Sequence, residues 1–155
     1  MAVNNVTRFL DSQKIRFTSF DLPREKYSGE ETARLLGAPP EIVFKSIVIL
    51  RKGPGKPILA VVPGNSEVDL KKLAKVTGEK KVSPATQREA ENLTKLQAGG
   101  ISPLALINRG FEIVIHESVK ENHNVHVSGG ELGVNIRLLS SDLIKLTGAK
   151  VADIS

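Results

Sequence analysis

Along the chain, apolar positions alternate between helical spacing and strand spacing, and the changes fall at glycine, proline and capping residues. Val6, Phe9, Leu10 and Gln13 have helical spacing, with Asn4 or Asn5 as the cap. Phe17 to Phe20 reads as a short strand. Ser28 followed by Glu31 is a capping box, and Gly37 stands where that helix should stop, before Pro39 and Pro40. Phe44 to Leu50 is strongly strand-like. Gly53-Pro54-Gly55 punctuates it, and Ile58 to Val62 returns as a hairpin partner. Asp69 opens a helix carrying Leu70, Leu73, Ala74 and Val76, closed by Gly78. Ser83-Pro84 predicts the cap and first turn of a third helix running towards Thr94.

Downstream, Gly99-Gly100-Ile101-Ser102-Pro103 forms a glycine-rich turn. Glu112 to Glu117, Val125 to Ser128 and Asn135 to Leu139 read as strands. Ser141 predicts the cap of a last helix ended by Gly148, and Val151 to Ile154 a final edge strand. Short strands and helices mixed with hairpin-length connections favour an α+β domain. The expectation is one mixed, curved β-sheet flanked by helices, rather than a doubly wound parallel sheet.

Composition narrows the chemistry. The 155 residues, 40% hydrophobic and 25% charged, suit one domain spanning residues 1–155 with its own core. There is no cysteine, so disulfides, thiolate nucleophiles and Cys-ligated zinc are excluded. Met1 to Leu10 lacks the apolar run of a signal peptide, and no stretch approaches the roughly 20 apolar residues of a membrane span. A cytoplasmic protein without membrane contact is expected. Twenty-two Lys and Arg against seventeen Asp and Glu give a net charge of +5, which suits a polyanionic partner without requiring one.

Three features invite a functional reading. Lys45 starts an otherwise apolar strand and projects with Ile47 and Ile49, opposite Phe44, Ser46, Val48 and Leu50. It is either a strand-end lysine reaching solvent or an ammonium at a pocket mouth. Gly99 and Gly100 before Pro103 form either a tight turn or a loop aiming backbone amides at a ligand. Ser128-Gly129-Gly130 is either a hairpin turn or a source of a hydroxyl.

His116, His123 and His126 lack a recognised metal-ligand spacing, since an odd separation sends His123 and His126 to opposite strand faces. Nothing matches a nucleophile elbow, a phosphate-binding loop or a dinucleotide fingerprint. No metal or cofactor is expected. Lys71, Lys72, Lys75, Lys80 and Lys81 form a basic run that is either a solvated helix face or a phosphate-contacting patch. Aromatic residues are only 4% of the chain, which favours contact with the backbone of a folded RNA over stacking along a single strand.

Together these residues resemble the YbaK/EbsC family, which includes the editing domain of bacterial prolyl-tRNA synthetases and its free-standing relatives. The resemblance spans nearly the whole chain. It runs through Phe44-Lys45-Ser46, Leu70 to Lys75, Lys80-Lys81-Val82, Gly99 to Leu104, Val127 to Gly130 and Ala149 to Ile154. It implies hydrolysis of the ester between a misattached amino acid and the 3′ adenosine of a tRNA, usually that for proline. Water attacks without a protein nucleophile, helped by groups of the substrate.

The resemblance also assigns roles. Lys45 and Gly100 take the catalytic positions. Phe20, Ser46, Gly99, Ile101, Ser102, Pro103, Ser128, Gly129 and Asn135 shape the substrate pocket. The basic run, Lys71 to Lys81, would contact tRNA, with prolyl-tRNA synthetase or an elongation factor as a further partner. Phe20 stands where cysteine-removing relatives carry tyrosine, Ser46 where they carry threonine, and Asn135 where some carry an acid. The amino acid removed is thereby left open among alanine, serine, threonine and small non-protein residues. The alternatives are a non-catalytic RNA-binding module of this fold and a small-ester hydrolase that uses no RNA.

Overall fold

The computed structural model describes residues 3–155, so Met1 and Ala2 of the opening stretch lie outside it. Two strands carry its central argument. β2 (Phe44–Arg51) alternates between two cores, Phe44 and Val48 on one side and Ile47 and Ile49 on the other. β3 (Ile58–Pro63) is buried at every position, as its continuous apolar run requires of a strand covered on both faces.

Around them lie α1 (Asn5–Ser12), β1 (Phe17–Asp21), α2 (Gly29–Leu36), α3 (Leu70–Thr77), β4 (Val82–Pro84) and α4 (Gln87–Thr94). Then follow β5 (Glu112–His116), β6 (Asn124–Ser128), β7 (Val134–Leu139), α5 (Ser140–Thr147) and β8 (Lys150–Ala152). The expected mixed sheet is present, in the order β4-β2-β3-β5-β8. It is antiparallel from β4 through β3 and parallel from β3 to β5 to β8. Beside it β1, β7 and β6 make a separate antiparallel sheet, which the sequence pattern did not distinguish. An isolated parallel bridge between Val43 and His126 connects the two.

The larger core, which includes Leu10, Phe44, Val48, Leu59, Val61, Ile115, Ile136 and Leu143, fills the space between the two sheets and α1 and α5. On the other face of the five-stranded sheet, α3 lays Leu73 and Ala74 over Ile49, Ile58, Ala60, Val62 and Val114. No helix among the described residues is long and apolar enough to cross a membrane.

Several boundaries differ from the pattern, among them the last strand, which is Lys150–Ala152 rather than Val151 to Ile154. Ser83-Pro84 does not cap a helix: both residues pair with the edge of β2, where a proline needs no amide. α4 starts later, where Thr86 and Glu89 form a reciprocal capping box. The last helix begins at Ser140, ahead of the expected Ser141 cap. The Ser140 hydroxyl bonds the carbonyls of Asn122 and His123 instead of the helix amides. At the first helix the choice between two asparagines resolves to Asn4, in a capping box with Thr7.

The C-terminal residues fold back on α3. Ile154 is fully buried and its carbonyl accepts the Asp69 amide at 2.8 Å. Lys72 Nζ donates to Asp153 Oδ2 at 2.9 Å and to the Ser155 carbonyl at 2.8 Å.

Candidate active site

A cleft of about 510 Å³ opens around the start of β2. Lys45 and Ser46 supply one wall, and Gly99 and Ile101 another. Ser128 and Asn135 come from the small sheet, and Ser28, Gly29 and Glu30 from the cap and first turn of α2. Its volume lies within the range of small-molecule sites.

The walls meet because two glycine backbones touch. A Cβ on Gly29 would lie 2.5 Å from Gly64 Cα, and one on Gly64 would lie 2.9 Å from the Val43 carbonyl oxygen. Only hydrogens at both positions let the start of α2 sit against the end of β3 beside Lys45. The positive end of the α2 dipole is thereby placed at the cleft. Glu31 sits in that first turn too, but its carboxyl is engaged by the Ser28 amide. That backbone hydrogen bond first, and the Ser28 hydroxyl second, hold it below the usual carboxylate range. The carboxylates that line the cleft are Glu25, Glu30 and Glu67.

The Lys45 side chain is 25% exposed, and its Nζ lies 3.5 Å from Glu67 Oε1, whose own side chain is 95% exposed. The ammonium therefore stands in the cleft with a weak, solvent-exposed counterion. Tyr27, also in the lining, donates its hydroxyl to the Pro23 carbonyl at 3.0 Å. Desolvation first, and the Glu25 carboxylate next, push its pKa up, so it stays protonated at neutral pH.

The floor is polar and held from below. Asn135 is 5% exposed and its Oδ1 lies 2.9 Å from Nδ1 of His126, itself 4% exposed. Burial first, and the charge of Arg137 beyond it, push the His126 pKa down, against the Asn135 contact. The ring is therefore neutral near pH 7. With Asn135 Oδ1 as acceptor, Nδ1 carries the proton and the Asn135 amino group remains to donate.

Of the residues singled out from sequence, the cleft brings together Lys45, Ser46, Gly99, Ile101, Ser128 and Asn135. It does not include Phe20, Gly100, Ser102, Pro103 or Gly129. The Gly100 amide donates to the Gln97 carbonyl at 2.8 Å. Gly100 also packs its backbone against Glu131. Ser102 is fully buried and its hydroxyl accepts the Leu104 amide, closing the turn that begins at Pro103. Phe20 lies outside the cleft, its ring 5.5 Å from that of His126.

None of the five basic-run lysines lines the cleft. Lys71, Lys75, Lys80 and Lys81 are exposed, whereas Lys72 is tied to the C-terminal residues. Residues that sequence reasoning missed are Tyr27, Glu67, Gln87 and the Gly29–Gly64 pair. The hairpin register pairing Ser128 with Asn135 was one available signal for His126, since it puts all three on one face.

Comparison with known proteins gives a consistent family. Residues 24–146 match the model of the aminoacyl-tRNA editing domain. A proposed Cys-tRNA(Pro)/Cys-tRNA(Cys) deacylase, EbsC, from Enterococcus faecalis is 31% identical over 153 residues, covering 97% of this chain and 92% of that protein. Among solved structures, that of the hypothetical protein APE2540 superposes with a TM-score of 0.88 at 22% identity, over 97% of this chain and 99% of that one. A proposed trans-editing enzyme for prolyl-tRNA synthetase superposes with a TM-score of 0.79 at 24% identity, over 99% of both chains.

Proposed function

The chain belongs to the aminoacyl-tRNA editing family, whose reaction is hydrolytic deacylation of tRNA, and on that premise we propose that it removes a small, wrongly attached amino acid from tRNA(Pro) in trans. It works as one domain over residues 1–155, in the cytoplasm, on tRNA delivered free or by prolyl-tRNA synthetase or an elongation factor.

The observation that carries this reading is the Lys45 ammonium, one quarter exposed, in a cleft shared with Gly99, Ile101, Ser128 and Asn135. The aminoacyl ester enters with its carbonyl towards Lys45. Water adds to the carbonyl carbon and the oxygen takes up negative charge. Lys45, the amides of Gly99 and Ile101, and the Asn135 amino group supply preorganised donors to it. The carbon–oxygen bond to the ribose then breaks, the ribose oxygen takes up the proton that the attacking water gives up, relayed through the neighbouring ribose hydroxyl, and the free amino acid leaves. Ser46, Ser128 and the loop from Gly99 to Pro103, held in shape by Gly100 and Ser102, bound the side-chain space. With no cysteine in the chain, a protein thiolate cannot be the attacking group.

The test is deacylation of a panel of mischarged tRNAs by the purified chain. Hydrolysis of at least one above the buffer rate is expected. Binding of tRNA with no hydrolysis across the panel would make the chain a non-catalytic RNA module, and hydrolysis unaffected by competing uncharged tRNA would make it a small-ester hydrolase.

A further inference from the structure

The outer face of the three-stranded sheet carries two cross-strand rows, Phe20–Asn135–Ser128 and Thr18–Arg137–His126. Directly opposed residues share a side, and so do positions two apart on a strand, so all six project from one face. The first row enters the cleft through Asn135 and Ser128. The second lies two residues further along β7, or about 7 Å, with His126 buried and Arg137 exposed.

Arg137 is exposed but not loose. Its guanidinium carbon sits 5.5 Å from the centre of the Phe20 ring, and Nη2 donates to Thr18 Oγ1 at 3.3 Å. Among the described residues the ion pairs engage Arg24, Lys45, Arg51, Lys72, His116 and Lys150, and none engages Arg137. A guanidinium oriented by a ring and a hydroxyl, with no carboxylate across from it, keeps most of its donor fork for an incoming anion. A phosphate matches that fork, and the face on which it stands is continuous with the floor of the cleft.

We propose that Arg137, braced on Phe20, binds a backbone phosphate of the single-stranded 3′ end of tRNA and guides that end over the small sheet into the cleft. The inference rests on the proposed function. It gives Phe20 a place in the substrate path that the cleft lining alone does not, as the support for a phosphate anchor.

The experiment measures binding of uncharged tRNA(Pro) transcript to the full chain over a range of salt concentrations, with the transcript intact or with its single-stranded 3′ end trimmed. Arg137→Gln should weaken binding of the intact transcript roughly tenfold, the scale of one lost charge-assisted contact. The slope of log affinity against log salt should become shallower by about 0.7, one single-strand phosphate fewer. Binding of the trimmed transcript should not change, and Arg137→Lys should fall between the two. Equal weakening of intact and trimmed transcripts, or of neither, would overturn the proposal. Because the readout is binding, absence of deacylation by the wild-type chain would remove the deacylase reading while leaving Arg137 to be judged on these affinities.

Discussion

His126 Nδ1 lies 2.9 Å from Asn135 Oδ1, with the Phe20 ring beside both. The contact turns a floor asparagine into an oriented donor, because the imidazole holds its oxygen and frees its amino group. It also makes stability depend on pH. Burial depresses the His126 pKa in the folded protein, whereas the unfolded chain takes up the proton at about 6.5. Protons thus bind preferentially to the unfolded state, and stability falls as pH drops below about 6.5. Thermal melts from about pH 7 to pH 5 should show Tm falling, with a shallower fall in His126→Gln. Equal slopes would contradict the assignment. Asp153, held low by the hydrogen bond from Lys72, adds its loss only in more acidic solution.

The contact between Gly29 and Gly64 sets a second expectation. Gly29→Ala puts a methyl group 2.5 Å from a backbone carbon that cannot swing aside. A destabilisation of about 1–3 kcal/mol, several degrees in Tm, should follow. Deacylation should fall further than the melt implies, since the same contact seats a cleft wall. Gly53→Ala, which meets nothing within 4 Å, is the control and should leave both unchanged. Matching melts for the two variants would show that the close approach is not needed.

The basic run divides into two roles. Lys71→Glu and Lys75→Glu, at exposed positions of α3, should each weaken tRNA binding and flatten its salt dependence, by about 0.9 in slope where the contact is to duplex phosphate. Lys72→Ala should instead loosen the C-terminal residues. Hydrogen exchange should report this as lost protection of the Asp69 amide, which donates to Ile154, with tRNA affinity little changed. A Lys72→Ala variant that loses affinity as the other two do, with the Asp69 amide still protected, would contradict the division.

Much of the architecture was readable from local signals. The capping box at Ser28, the glycines at 37, 78 and 148, and the alternation along β2 each depend on a few neighbouring residues. Ser83-Pro84 misled because serine and proline suit a helix start and a sheet edge equally well, and only pairing with β2 decides between them. The site was legible through Lys45 and the glycine loop, but not in its details. Gly29 and Gly64 are remote in sequence and touch only when α2 docks on β3. The Gly100 amide donates to a carbonyl three residues back, which composition does not reveal. Lys72 was grouped with its neighbours by spacing, while its partner sits 81 positions later.

Single-turnover deacylation of a mischarged tRNA by wild type and Lys45→Ala tests the central claim most directly. The account predicts a rate lower by about 10²–10³, the scale of one lost oxyanion donor, with Tm and tRNA affinity unchanged. A Lys45→Ala protein that deacylates at the wild-type rate would contradict it.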